Sequence, residues 1–359
     1  MGKKNWSWAI LGLLALALRF LASQFPETTD RVYSRSIFPF LRNLLDLSLG
    51  KLPFPSIYLF FILIGVILII FIFRLKAQVG RKQKLHYSLR FLCNALGALI
   101  FFFLVLWGYN YQRTPIVQQL GLLPTTLSLE ILETELELTR NLAFQERLKI
   151  KEDTAAINEW MDYALLEEVV RNNMRKNLFL LGINYTGNPR TKLVPPSGFM
   201  KRIGILGIYF PYSGESYIDP SLHPLEQPFT IAHEMAHSFG VTDEGEANFL
   251  AWVICSHADD PRLRYSAQLR LLLYQLRDYR RESPERMELW IKNLPPGLRQ
   301  DLIAIQKANE RYKPFFLEFS RWINDLFLKS QGIEAGITSY QELPMLVHAW
   351  RKDSKRNKE

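Results

Sequence analysis

One set of residues in this chain has types and spacing that together specify a chemistry: His233, Glu234 and His237, within FTIAHEMAHSFGVTDEGEANFL (Phe229–Leu250). Residues four apart on a helix share a face, so the two imidazoles stand one turn apart and can bind one metal ion. Glu234 lies beside the first histidine, where its carboxylate can take a proton from a water on the metal, the general-base role in an HExxH signature. Two histidines and a water leave a tetrahedral zinc short of one protein ligand. Three acids compete for that place: Asp243, Glu244 and Glu246. Glu246 opens the apolar run Ala247–Ile254, and a second helix there would carry it back towards the histidines. Asp243 and Glu246 also have the spacing of a capping box, which only closes a helix start. Glu246 is the preferred ligand and Asp243 the preferred cap, with Asp243 kept as the alternative ligand.

The elements that must position these groups are legible around them. Pro228 and Thr230 sit where a helix starts, Ile231, Met235 and Phe239 supply apolar contacts, and Gly240 is placed to end the helix in a left-handed turn. Upstream, Arg202–Phe210 reads as a strand, and Ser216–Ile218 as a second after a turn-rich stretch. The Ile203–Tyr217 region is therefore expected to form the sheet edge beside the motif helix, where an extended substrate backbone can pair; an ordinary hairpin is the alternative. Helical periodicity covers Leu129–Leu136, Ile157–Leu181 with Trp160, Ala164 and Val169, and several stretches after Ile254. These are Leu263–Tyr279, Pro284–Asn293, Leu298–Lys307, Tyr312–Leu328 and Tyr340–Trp350. Strands, motif helix and a helical half make an α+β zincin-like domain, mostly helical with a small sheet, over residues 111–350.

The chain also resembles a known family. PFTIAHEMAHSFG and EANFLAW, with WGYNYQRTP (Trp107–Pro115), GIYFPYSGE (Gly207–Glu215) and LKSQGIEAGITSY (Leu328–Tyr340), resemble the bacterial membrane protein family labelled domain of unknown function 3810 over nearly the whole chain. The resemblance implies a gluzincin-type membrane peptidase. Its two histidines, adjacent glutamate and the glutamate of EANF fall on His233, His237, Glu234 and Glu246. Asp243 completes the spacing HExxHxxGxxD of metzincins, which is not part of that pattern, and Leu250 stands where a thermolysin-like continuation has aspartate. The family label carries no substrate.

Hydrophobic residues make up 48% of the 359 residues, and most of the excess lies before residue 110. Three membrane spans are expected, at about 6–24, 57–74 and 90–109. The first contains Arg19, near enough to one end to snorkel, and a cleaved signal peptide is its alternative. The second has no charge, and the third ends in a belt of Trp107, Tyr109 and Tyr111. Arg74–Arg90 is basic without an acid, which places it and the N-terminus in the cytoplasm and residues 111–350 outside, on a plasma membrane. Phe25–Ser56 would be external, with Ile37–Leu49 as an interfacial helix. Residues 351–359 read as a charged, disordered tail.

The net charge of +9 concentrates in the basic stretch and the tail, without stacking aromatics, so lipid headgroups and not nucleic acid are its expected partners. Cys93 and Cys255 read as small buried apolar residues and not as a disulfide. His257 and Tyr265 are candidates for oxyanion stabilisation, each with a structural role as the alternative, and Glu215 either approaches the site or ends a turn. The functional expectation is a membrane-anchored zinc metallopeptidase acting on a peptide or protein. Its rival is a zincin-like membrane sensor or scaffold that binds zinc without turnover.

Overall fold

The computed structural model describes residues 5–159, 161–183 and 186–356. It divides into two compact units. One comprises Met1–Thr114 with the short segments Thr186–Asn188 and Phe210–Glu215; the other comprises Pro115–Tyr185, Pro189–Tyr209 and Ser216–Glu359.

The first unit is built from apolar helices. Helix α1 (Ser7–Ser23) stops at a turn where Phe25 leaves helical geometry and Pro26 opens the next helical stretch. That stretch passes through π-helical Asp30–Ile37 into α2 (Phe38–Leu47) and lies at 119° to α1. Helices α3 (Ile57–Lys76) and α4 (Arg81–Leu106) are each long and apolar enough to cross a membrane. The 17 residues of α1 reach that standard only together with its bent partner, as a broken span or re-entrant loop, so the unit holds two to three membrane-length helices. The basic stretch Arg74–Arg90 is mostly helical. Only residues 77–80 interrupt it, and Gly80 (φ +87°) makes the reversal with a backbone that other residues rarely adopt.

Small and polar residues hold α1 against α4. A Cβ on Gly12 would lie 2.6 Å from the Cα of Gly97, so the two backbones touch there. Asn94 on α4 accepts from the Trp8 and Ala9 N–H groups at 3.1 and 3.3 Å, satisfying donors at the start of α1 that have no partner within the helix. Tyr109 donates to the Ala15 carbonyl at 3.0 Å. In α2 the usual arrangement is inverted: Arg42 and Asp46 are buried while Phe40, Leu44 and Leu47 are exposed, as suits an apolar medium.

The second unit is mostly helical, with helices α5 (Leu129–Ile150) and α6 (Tyr163–Leu180) preceding the sheet. Asp162 caps α6 by accepting from the Ala164 N–H at 2.8 Å, so the helix begins later than the periodicity from Ile157 predicts; Trp160 lies outside the described residues. Strands β1 (Thr191–Leu193), β2 (Gly207–Phe210) and β3 (Glu215–Ile218) form a sheet in the order β1-β3-β2. Strands β1 and β3 run parallel, Thr191 opposite Ser216, and the short link 211–214 makes β2 and β3 a hairpin. The expected strand from Arg202 is shorter than its sequence suggested. Phe199–Arg202 forms a helical turn between the left-handed Gly198 and Gly204, and β1 was not anticipated.

Helices α7 (Gln227–His237) and α8 (Glu244–Ser256) carry the motif region. They are followed by α9 (Pro261–Glu282), α10 (Pro284–Lys292), α11 (Pro296–Glu310), α12 (Leu317–Ser330) and α13 (Leu343–Arg356). Ile231, Met235, Phe249 and Leu250 are buried with Leu166 and Met174 of α6 in one core. Leu132 and Leu136 of α5 join Leu269 and Leu272 of α9 in a second. Beside that second core, Arg147 and Asp301 pair at 2.7 Å, and the Tyr265 hydroxyl donates to the same carboxylate at 2.6 Å. The expected disordered tail is corrected in part: α13 continues to Arg356, and residues 357–359 lie outside the described residues. Cys93 and Cys255 are both free thiols.

Candidate metal centre

Every residue of α7 from Pro228 to His237 is buried, which gives the motif helix a fixed orientation on the core. The helix ends at His237, and Gly240 (φ +77°) turns the chain so that the Val241 carbonyl returns to the His237 ring. Nδ1 of His237 donates to that carbonyl at 2.8 Å, which turns Nε2 towards His233 and Glu244. Nε2 of His237 lies 3.3 Å from Nε2 of His233.

The third group at this point is Glu244. Its Oε2 lies 3.1 Å from Nε2 of His233 and 3.3 Å from Nε2 of His237, and these three residues form a buried group able to hold a metal ion. The structure brings together His233 and His237 but turns the preferred Glu246 elsewhere, where its Oε1 accepts the Val117 N–H at 2.8 Å. Asp243 caps α8 as expected, accepting the Glu246 N–H at 2.9 Å. Positions 244 and 246 are about 200° apart around a helix, so only one can face the histidines. With α8 entering from Asp243, that one is Glu244.

The donor set fits a metal. A tetrahedral zinc with ligands at about 2.0–2.1 Å separates them by about 3.3 Å, and the three donor atoms here are separated by 3.1–3.3 Å. Oε2 of Glu244 is buried and makes no hydrogen bond that meets strict geometry, although both imidazole Nε2 atoms stand beside it.

Glu234 is held against the sheet. The Tyr209 N–H donates to its carboxylate, and the Ser216 hydroxyl donates to its backbone carbonyl at 2.8 Å. Gly207 is required at the start of β2, since a Cβ there would lie 2.7 Å from the Glu234 Cγ. Burial pushes the Glu234 carboxyl up to about 8, helped by the Glu244 charge and opposed by His237. Burial acts to lower His237, but the Glu244 and Glu234 carboxylates outweigh it and raise the imidazole to about 9. Burial would raise Glu244, yet the two imidazoles hold it well below the usual carboxylate range. Without a metal, a proton on His237 thus balances the Glu244 charge.

Sequence reasoning missed Tyr340. Its ring lies nearly parallel to that of His233, with centroids 6.5 Å apart, and its hydroxyl accepts from the Asn324 amide at 3.5 Å. Burial and the neighbouring Glu244 carboxylate raise the phenol well above its ordinary value, so it remains a neutral donor. Its only signal was membership of the stretch Leu328–Tyr340, far along the chain from the histidines. The earlier oxyanion candidates are structural: His257 donates from Nδ1 to the Val253 carbonyl at 2.8 Å at the end of α8, and Tyr265 is engaged by Asp301. Glu215 accepts from the backbone N–H and hydroxyl of Ser56 at 2.9 and 2.6 Å, at the start of α3.

Fold and site together define a mostly helical protein with a small three-stranded sheet, two to three membrane-length helices and a buried His-His-Glu group able to hold a metal. The chain belongs to the DUF3810 family of proteins of unknown function, which it matches over residues 33–348. No curated protein and no solved structure matches it.

Proposed function

We propose that this protein is a membrane-anchored zinc metallopeptidase of the gluzincin-like type, with zinc held by His233, His237 and Glu244. The observation that carries the reading is the 3.1–3.3 Å triangle of donor atoms with Glu234 on the same helix face region, fixed by Tyr209 and Gly207. Zinc in such a site lowers the pKa of a water to about 7 and polarises a carbonyl. The charge of a cation in the triangle would return Glu234 to its carboxylate form at neutral pH. Glu234 then takes the proton of the attacking water and passes it to the departing amine nitrogen. Tyr340, a neutral donor beside the metal ligands, stabilises the negative charge that develops on the carbonyl oxygen. Strand β2 lies at the sheet edge, so its outward backbone groups can pair with an extended peptide; the edge role falls on β2 and not on β3, which is central.

The apolar helices anchor this site to a bacterial plasma membrane, with the N-terminus and the basic residues of α3 and α4 on the cytoplasmic side and the metal domain outside. The test is Glu234→Gln in the full chain. Peptide hydrolysis should fall by about 10²–10⁴ with bound zinc unchanged. Hydrolysis retained in that variant would remove Glu234 from the chemistry. Zinc binding by a wild-type protein that cleaves no peptide would favour the sensor or scaffold role.

A further inference from the structure

The exposed face of α12 is the feature the metal site leaves unused. Phe316, immediately before the helix, and Phe319, Trp322, Ile323, Leu326 and Phe327 on it expose 39–73% of their surfaces. At 100° per residue they fall within an arc of about 140°, one continuous apolar stripe. The remaining faces are accounted for. Ser320 donates to the Ile203 carbonyl at 3.0 Å, Leu328 is buried, and Asn324 reaches the Tyr340 hydroxyl. Glu318, Arg321, Asp325 and Lys329 form a charged strip with pairs at 3.3 and 2.7 Å. A stripe of large aromatics of this kind is uncommon on a surface that only meets water.

Three cations stand at the end of the stripe where the chain enters α12. The Arg202 guanidinium lies 5.8 and 5.1 Å from the ring centroids of Tyr312 and Phe315, and Arg311 lies 5.6 Å from that of Tyr312. Lys313, between Tyr312 and Phe315 in sequence, is exposed, and among the described residues no ion pair is found for Arg202, Arg311 or Lys313. An apolar helix face rich in Phe and Trp, rimmed by unpaired cations, matches the requirements of a helix lying in the interface of an anionic bilayer. The same chain carries membrane-length helices, so a bilayer is present for every copy at high effective concentration.

We propose that α12 is an interfacial membrane helix, whose apolar stripe enters the headgroup and acyl boundary of an anionic bilayer while Arg202, Arg311 and Lys313 bind the lipid phosphates. This inference does not depend on zinc or on hydrolysis. One consequence is that Tyr340, which Asn324 contacts from the opposite side of α12, is held near the membrane surface.

The test uses the full chain with Cys93→Ala in nanodiscs of phosphatidylglycerol and phosphatidylcholine. The buried Cys255 stays unreactive, its thiol raised by burial. An environment-sensitive fluorophore is placed at Phe319→Cys or Leu326→Cys, with the exposed Lys292→Cys as control. Brominated acyl chains should quench the first two by about twofold or more and leave the third unchanged, and quenching should weaken in pure phosphatidylcholine. Emission typical of water at 319 and 326 would overturn the proposal. So would shielded emission that brominated lipid does not quench, because a protein surface would then cover the stripe. Quenching that is equal in pure phosphatidylcholine would overturn the part assigned to the cations.

Discussion

The two units solve opposite solvation problems with the same amino acids. In the first, α3 has no buried residue and exposes Phe61, Ile62 and Phe73, while Arg42 and Asp46 are shut inside and pair at 3.6 Å. In the second, large apolar residues are buried and a cluster of ionisable groups is buried among them: His233, Glu234 and His237 are each less than a tenth exposed. Apolar exposure costs nothing in lipid, whereas unpaired polar groups cost several kcal/mol there. In the second unit the cost of burying charge is offset by mutual pairing of the two imidazoles with the Glu244 carboxylate.

That contrast can be broken at single residues. The largest effect is expected at Glu244→Ala, which should abolish stoichiometric zinc in purified full-length protein, while Glu246→Ala keeps it, both read by elemental analysis. Zinc lost in Glu246→Ala and retained in Glu244→Ala would reverse the ligand assignment. In the first unit, Gly97→Leu drives a side chain into Trp8 and Ala9 and should destabilise the α1–α4 pair by about 2 kcal/mol. Thermal unfolding in detergent measures this, and an unchanged transition would mean the helices do not pack through their glycines.

The remaining effects are smaller and concern the polar cluster. Because His237 is raised to about 9, a proton must leave it when metal binds, so affinity rises with pH and levels off above that value. Competition with a chelator between about pH 6 and about pH 8 should show a gain of roughly tenfold per pH unit, and a flat profile would mean that the imidazole is already neutral. Asp243→Ala removes the cap of α8 and should cost about 1 kcal/mol in stability with zinc retained. Loss of zinc in that variant would show that the cap also fixes Glu244.

Much of this was legible in the chain. Spacing alone determined that His233 and His237 share a helix face, that Glu234 neighbours the pair, that Gly240 ends the helix and that Asp243 caps the next one, because each is a relation between residues within five positions. Apolar length likewise marked α3 and α4, since a membrane span needs no partner to be recognised. Other features depended on how elements meet. The choice between Glu244 and Glu246 turned on the direction in which α8 leaves its cap, because residues two positions apart on a helix point to nearly opposite sides. Tyr340 stands beside the His233, His237 and Glu244 group only because α12 and the turn before α13 fold back towards α8, more than ninety positions along the chain. The bend after α1 and the parallel strand β1 were hidden for the same reason. Local backbone preference fixes neighbours in sequence, whereas the packing of distant helices decides which of several similar carboxylates and phenols become neighbours in space.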